Sequence, residues 1–118
     1  FCIRWRNRLV NIHPSILPAF KGLNAHRLAL KSGVRFSGCT VHYVRHEMDA
    51  GPIISQAVVP VFTKDTVKTL SKRILLQEHQ IYPHAIRLIA EKRIRVYNDI
   101  VKIKNHFCDS SPVCNPSK

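Results

Sequence analysis

Leu9-Val10-Asn11-Ile12-His13-Pro14-Ser15-Ile16-Leu17-Pro18 is the stretch on which the reading of this chain turns. Its first five residues are β-prone, and Pro14 ends the run because it lacks an N–H and holds His13 in extended geometry. The expected result is a short buried strand with polar side chains at its C-terminal end. Asn11 and His13 are two apart, so they project from one face of that strand. Pro14 to Gly22 follows with two prolines and a glycine, a stiffened loop whose Ile16, Leu17 and Phe20 would form a pocket wall or a packing plug.

Further along, Asn24 is a candidate N-cap, Ala25 to Ser32 is helix-prone with Leu28 and Ala29 facing inward, and Gly33 stands where a helix-ending glycine belongs. Phe36 to Val44 and Ile53 to Phe62 read as an antiparallel strand pair. They are joined by a polar loop, Arg45 to Pro52, longer than a hairpin requires. Asp65 is expected to cap a long helix with Val67, Leu70, Ile74, Ile81, Ala85 and Ile89 at helical spacing, kinked or divided at Pro83. Arg95 to Lys104 reads as a hairpin around Asn98-Asp99, and residues 105–118 as a disordered tail. Upstream, Phe1-Cys2-Ile3-Arg4-Trp5-Arg6 is strand-like and has no initiator methionine, so the chain is expected to begin inside a longer protein.

The 118 residues are 45% hydrophobic and 22% charged, the composition of one soluble domain or part of one. No apolar run approaches the ~18 to 20 residues that span a bilayer, and the start has no apolar signal core, which excludes transmembrane and secretory readings. Nineteen Lys and Arg against seven Asp and Glu give +12, an attraction for anions that does not by itself choose among them. Cys2, Cys39, Cys108 and Cys114 contain no CxxC pair and read as free thiols of a reducing compartment. His106, Cys108 and Cys114 match no common zinc spacing, so no metal is expected. His26, His46, His79 and His84 read as surface or capping histidines, and Trp5, Phe20, Tyr43 and Tyr82 as packing residues.

An amide able to donate to a developing oxyanion, beside an imidazole able to exchange protons, is what acyl transfer requires. Asn11 and His13 fit that requirement, and they equally fit a pair that satisfies loop backbone. Asp49, in the long loop, either orients the imidazole or forms a turn.

The run Asn-x-His-Pro-Ser-x-Leu-Pro at residues 11–18 belongs to a wider pattern. It continues with Lys21-Gly22, Gly38-Cys39-Thr40-Val41-His42-Tyr43-Val44, Met48-Asp49-Ala50-Gly51-Pro52-Ile53-Ile54, Gln56, Glu78-His79 and Tyr82-Pro83. This pattern resembles the C-terminal half of phosphoribosylglycinamide formyltransferase, over residues 1–104. Formyltetrahydrofolate deformylase is similar but usually carries a different sequence after the asparagine. The resemblance implies an α/β fold: the C-terminal half of a Rossmann-like domain, a mixed sheet flanked by helices, with the N-terminal half absent.

It also implies a reaction, transfer of the formyl group of 10-formyltetrahydrofolate to the amine of glycinamide ribonucleotide in purine biosynthesis. Asn11, His13 and Asp49 would be catalytic, with no metal. Thr40, His42, Val44, Arg45, His46, Glu47 and Met48 would lie at the folate, and Pro14 and Glu78 at the ribonucleotide. The implied partners are glycinamide ribonucleotide, the folate, and the missing half of the same domain, within a multifunctional purine enzyme, in the cytoplasm. The isolated piece is expected to be poorly stable and inactive. Leu75 departs from the pattern, since a polar side chain commonly reaches the nucleotide three residues before the glutamate. The competing expectations are the deformylase, in which water replaces the amine, and an inactive basic paralogue that binds nucleic acid.

Overall fold

A computed structural model describes residues 7–118. The expectations placed on Cys2, Arg4, Trp5 and Arg6 lie outside the described residues. Strand β1 (Val10–His13) is followed by helix α1 (Ala25–Ser32), then strands β2 (Phe36–Tyr43) and β3 (Ile53–Pro60). Helix α2 (Val67–Ala90) and the hairpin β4 (Ile94–Tyr97) and β5 (Ile100–Ile103) complete the order. The elements are those expected, and each strand pairing among the described residues is antiparallel.

The sheet runs β1-β2-β3, which puts β1 at its rim and β2 at its centre. Register then separates chemistry from core. Asn11 stands opposite His42, and His13 opposite Thr40, which in turn pairs with Gln56. These five polar residues therefore share one face, because alternate side chains of a strand point the same way and cross-strand partners share a side. The other face offers Ile12, Cys39, Val41, Ala57 and Val59, and α2 covers it with Leu70, Ile74 and Ala85. Both faces of β2 are buried from Ser37 to Tyr43. A register shift at Val41/His42 leaves Ile54 of β3 as an extra residue between Ser55 and Ile53, the partners of those two positions.

Local details depart from expectation at four places. Asn24 precedes α1 with φ of 63° and makes no side-chain capping bond. An N-cap needs extended backbone to turn its side chain onto the first N–H groups, and the left-handed conformation turns it away. Leu28 is exposed while Ala25 and Ala29 face the core, since the buried pair is spaced i, i+4 and the residue before Ala29 points about 100° round the helix. The cap of α2 is Thr66, which forms a reciprocal box with Thr69, while Asp65 sits one residue outside. Pro83 does not divide α2, which runs unbroken for 24 residues; Val67 is exposed and Leu88 is buried in its stead. Gly33, by contrast, ends α1 with φ of 72° and its N–H on the Leu30 carbonyl, as read from the sequence.

Asp65 does a different job. Its carboxylate accepts from the Phe62 N–H at 2.7 Å, from Thr69 Oγ1 at 2.8 Å, and from both Arg73 terminal nitrogens at 2.8 and 2.9 Å. Arg73 also lies 4.0 Å over the Phe62 ring and donates to the Pro60 carbonyl. The bond from Arg73, then those from Phe62 and Thr69, outweigh burial and hold the Asp65 carboxyl well below the usual carboxylate range. A depressed folded-state value contributes stability that is present above the unfolded value and lost as pH falls through the folded one. Asp65→Asn is expected to cost about 2 kcal/mol near pH 7. Urea melts of the two proteins should converge only below about pH 4. A constant gap down to pH 2 would show that the charge is not what matters.

Residues 105–118 contain no helix or strand. The Asn115 amide donates to the carbonyls of Arg35 and Val61. Cys39, Cys108 and Cys114 are free, and burial pushes the Cys39 thiol up to about 11.

Candidate active site

Three segments converge on the polar face of the sheet. The β1 end supplies Asn11, exposed, and His13, buried. The loop after it folds back so that the Phe20 carbonyl accepts from His13 Nε2 at 2.8 Å and Ser15 Oγ donates to the Ala19 carbonyl at 2.6 Å. The long loop between β2 and β3 brings Asp49, whose Oδ2 accepts from the Gly22 N–H at 2.7 Å. That single bond fastens the two loops to each other.

Asp49 stands between two histidines. Oδ2 lies 3.5 Å from His13 Nδ1, and Oδ1 lies 3.9 Å from His42 Nε2. A carbonyl only accepts, so His13 Nε2 must carry the hydrogen given to Phe20, and His42 Nδ1 the one given to the Tyr43 carbonyl at 2.9 Å. The ring nitrogens that face Asp49 therefore hold a lone pair in the neutral ring and a proton in the imidazolium. Only the protonated ring turns either contact into an ion pair. His42 is 3% exposed and its Nε2 has no hydrogen-bond partner, so the cluster has an unused position at its centre.

The structure brings Asn11, His13, His42 and Asp49 together and gives other expected residues different tasks. Thr40 is fully buried, and its hydroxyl donates to the Ser15 carbonyl while accepting from the Leu17 N–H and Gln56 Nε2. A hydroxyl has one hydrogen and two lone pairs, so Thr40 is a strut under the Ser15–Leu17 turn with nothing left for a ligand. The Val44 N–H is spent on the Leu9 carbonyl. Arg45 turns its guanidinium away from Asp49, toward Asn7 and Asp99. His46, Glu47 and Met48 are exposed, and Pro14 is half-buried beside His13.

Glu78, on α2, is half-buried. Burial raises its carboxyl above the usual range, against the opposing pull of His79 and His13. Leu75, one turn earlier, is exposed. His26 corrects its reading as a surface or capping histidine. Its Nε2 is buried without a partner, and burial followed by the charge of His13 lowers its basicity. Gln56 and Gly22 were in the pattern but carried no expected role; one braces Thr40 and the Leu17 carbonyl, and the other holds Asp49. Among the described residues no group of three His, Cys, Asp or Glu is arranged to hold a metal ion.

Residues 1–86 match the formyl transferase family. The chain belongs to that family. The trifunctional purine biosynthetic protein adenosine-3 of Gallus gallus is 52% identical over 96 residues, covering 81% of this chain and 10% of that protein. The phosphoribosylglycinamide formyltransferase of Escherichia coli is 43% identical over 99 residues, 84% of this chain and 47% of that enzyme. This formyl transferase chain thus spans about half of the single-activity relative and a tenth of the trifunctional one.

Among solved structures, the phosphoribosylglycinamide formyltransferase of Anaplasma phagocytophilum superposes with a TM-score of 0.86 at 48% identity, covering 90% of this chain and 52% of that one. A formyltetrahydrofolate deformylase from Pseudomonas syringae gives 0.83 at 33% identity, covering 86% and 34%. The α/β formyl transferase fold expected from the sequence is the one observed. No helix among the described residues is long and apolar enough to cross a membrane.

Proposed function

We propose that this chain supplies the catalytic side chains of a phosphoribosylglycinamide formyltransferase, a transferase that moves a formyl group from 10-formyltetrahydrofolate to glycinamide ribonucleotide in purine biosynthesis. The observation that carries the reading is the Asp49 carboxylate between His13 and His42, 3.5 and 3.9 Å away, on the face that also presents Asn11. The nucleotide amine attacks the formyl carbon, and the carbonyl oxygen becomes an oxyanion. Asn11, exposed at the sheet rim, donates its amide N–H to that oxygen. Protonated His13 sets a positive charge beside it, and Asp49 fixes the ring while completing the ion pair. The bond from the formyl carbon to the folate nitrogen then breaks. The proton released by the attacking amine ends on that nitrogen, with the Asp49–His13 contact as a route for its exchange.

The folate is a cosubstrate, placed by this reading against the Val44–Met48 loop and His42. Glu78 and Pro14 stand toward the ribonucleotide. Its half-burial suits Glu78 to hold a polar group of the substrate, and Leu75 leaves that task to Glu78 alone on this turn. The remaining half of each binding site would come from the half of the family fold that lies outside these 118 residues, pairing along the β1 rim within a larger cytoplasmic purine enzyme.

A fusion tests this directly: the amino-terminal half of the domain from the chicken relative, joined to this chain. The fusion should formylate glycinamide ribonucleotide, and the chain alone should show less than about a thousandth of that rate, having lost substrate positioning. Formate release without any amine acceptor would favour the deformylase reading, to which the Pseudomonas syringae superposition gives weight. No reaction in either assay would overturn both.

A further inference from the structure

Arg45 opens the loop that carries Asp49, and its side chain is only 12% exposed. Its Nη1 donates back to the Val44 carbonyl at 3.3 Å. Its Nη2 donates to Asn7 Oδ1 at 2.7 Å and to Asp99 Oδ1 at 3.3 Å. Asn7 lies just ahead of β1, and Asp99, 54 residues beyond Arg45, at the turn of the β4–β5 hairpin. The stem of Arg45 runs near Gly51, where an added Cβ would lie 3.4 Å from Arg45 Cγ.

One side chain therefore bonds the first arm of the loop, the approach to β1 and the hairpin tip. Around it a cavity of about 250 Å³ is lined by Arg45, His46, Glu47, Ala50 and Asp99. The segment 46–50, which contains Asp49, bridges this gap with mostly exposed residues. The hairpin is by contrast anchored, with Val96 and Val101 packed against the core. The loop is thus held at two places, by Asp49 on the Gly22 N–H at its far end and by Arg45 on the anchored hairpin at its base, with exposed residues between.

We infer that Arg45 is a positioning residue whose fork, held by Asp99 and Asn7, sets the 46–50 segment and so presents Asp49 and the folate-facing side of the loop. The inference rests on the function proposed above for that face and assigns Arg45 to the rear of the loop instead of to the folate itself. Nη2 alone bonds both Asn7 and Asp99 while Nη1 is fixed on the Val44 carbonyl, a geometry held by the rigid plane of the longer guanidinium and not by an ammonium on a shorter, flexible stem. The ion pair with Asp99, itself 61% exposed, contributes little to global stability, so its loss should act on the loop and not on the fold.

The test has two arms. Amide hydrogen exchange on the full chain should speed up about tenfold at 46–50 in Arg45→Ala and several-fold in Asp99→Asn, with the β2 and α2 amides unchanged. In the fused enzyme, Arg45→Ala should raise KM for 10-formyltetrahydrofolate about tenfold while KM for the ribonucleotide stays the same. Asp99→Asn should follow in the same direction, the double variant should be no worse than Arg45→Ala, and Arg45→Lys should not restore KM. Unchanged exchange at 46–50, equal rises in both KM values, or additive effects of the two substitutions would each overturn the inference. An inactive wild-type fusion would overturn the formyl-transfer reading, and the exchange arm would still decide the clasp.

Discussion

His13→Ala in the fused enzyme is expected to slow formyl transfer by roughly 10³-fold, about 4 kcal/mol of transition-state stabilisation. The charge beside the oxyanion disappears, and Asp49 is left facing His42 across 3.9 Å with its nearer partner gone. The loss should fall on kcat, because His13 is 7% exposed and offers the ground-state substrate little contact area. Removing the bond from Nε2 to the Phe20 carbonyl should lower stability by about 1 kcal/mol, too little to explain the lost rate. His42→Ala separates the two histidines. It leaves the His13 contact with Asp49 in place and should cost less than His13→Ala. Rates for His13→Ala within tenfold of wild type would remove His13 from the chemistry.

Gly51→Ala should be the most damaging substitution for folding, at more than about 3 kcal/mol. A Cβ there would lie 1.6 Å from the Tyr43 carbonyl oxygen and 2.7 Å from its carbon. Those atoms are backbone of the central strand and cannot step aside as a flexible side chain would. The neighbouring Pro52 carbonyl accepts from the Tyr43 N–H at 2.9 Å, so any shift that made room would also break this bond. Gly38→Ala is a companion case inside β2, with a Cβ 1.9 Å from the Ala57 oxygen. Thermal melts should show Gly51→Ala without a cooperative transition, or with one lowered by many degrees. A melt within two or three degrees of wild type would mean that the loop closes differently from the arrangement described.

How much of this was legible beforehand depends on the range of the interaction. Asn11 and His13 were readable as a pair because a strand repeats every two residues, a purely local rule. The hairpin around Asn98-Asp99 was equally local. The two residues have φ of 52° and 58°, the left-handed conformation that Asn and Asp tolerate better than other side chains. The cap of α2 was missed by one residue, because Asp65 and Thr66 are both capping types and only the third dimension showed Asp65 committed to Arg73.

Asn24 was misread for the converse reason: the residue type was right and the backbone was left-handed. Asp49 was noticed from its place in the long loop, and only the family pattern favoured the catalytic reading over the turn. Nothing local told it from a turn residue, and its φ of 51° shows that it is a turn residue as well. That it stands between two histidines, and that Thr40 is fully spent within the fold, depend on strand register. Register is set by how the whole sheet pairs and is not written in any one segment.

Helix α2 packs Leu70 and Ile74 into one core cluster and Ala85 into the other, and half-buried Glu78 lies between these positions along the helix. The residues that keep the molecule folded and the residue proposed to grip the nucleotide are thus borne on one rigid rod. A substitution on this helix can therefore act on folding or on turnover, at positions that interleave along it. A directed-evolution library aimed at new acceptor amines would do better to randomise the loops at 14–22 and 46–50. Within those segments the exposed positions Pro18, Ala19, Lys21, His46, Glu47 and Met48 are the ones to vary, since Ser15, Leu17, Phe20 and Asp49 are committed to the core or the site.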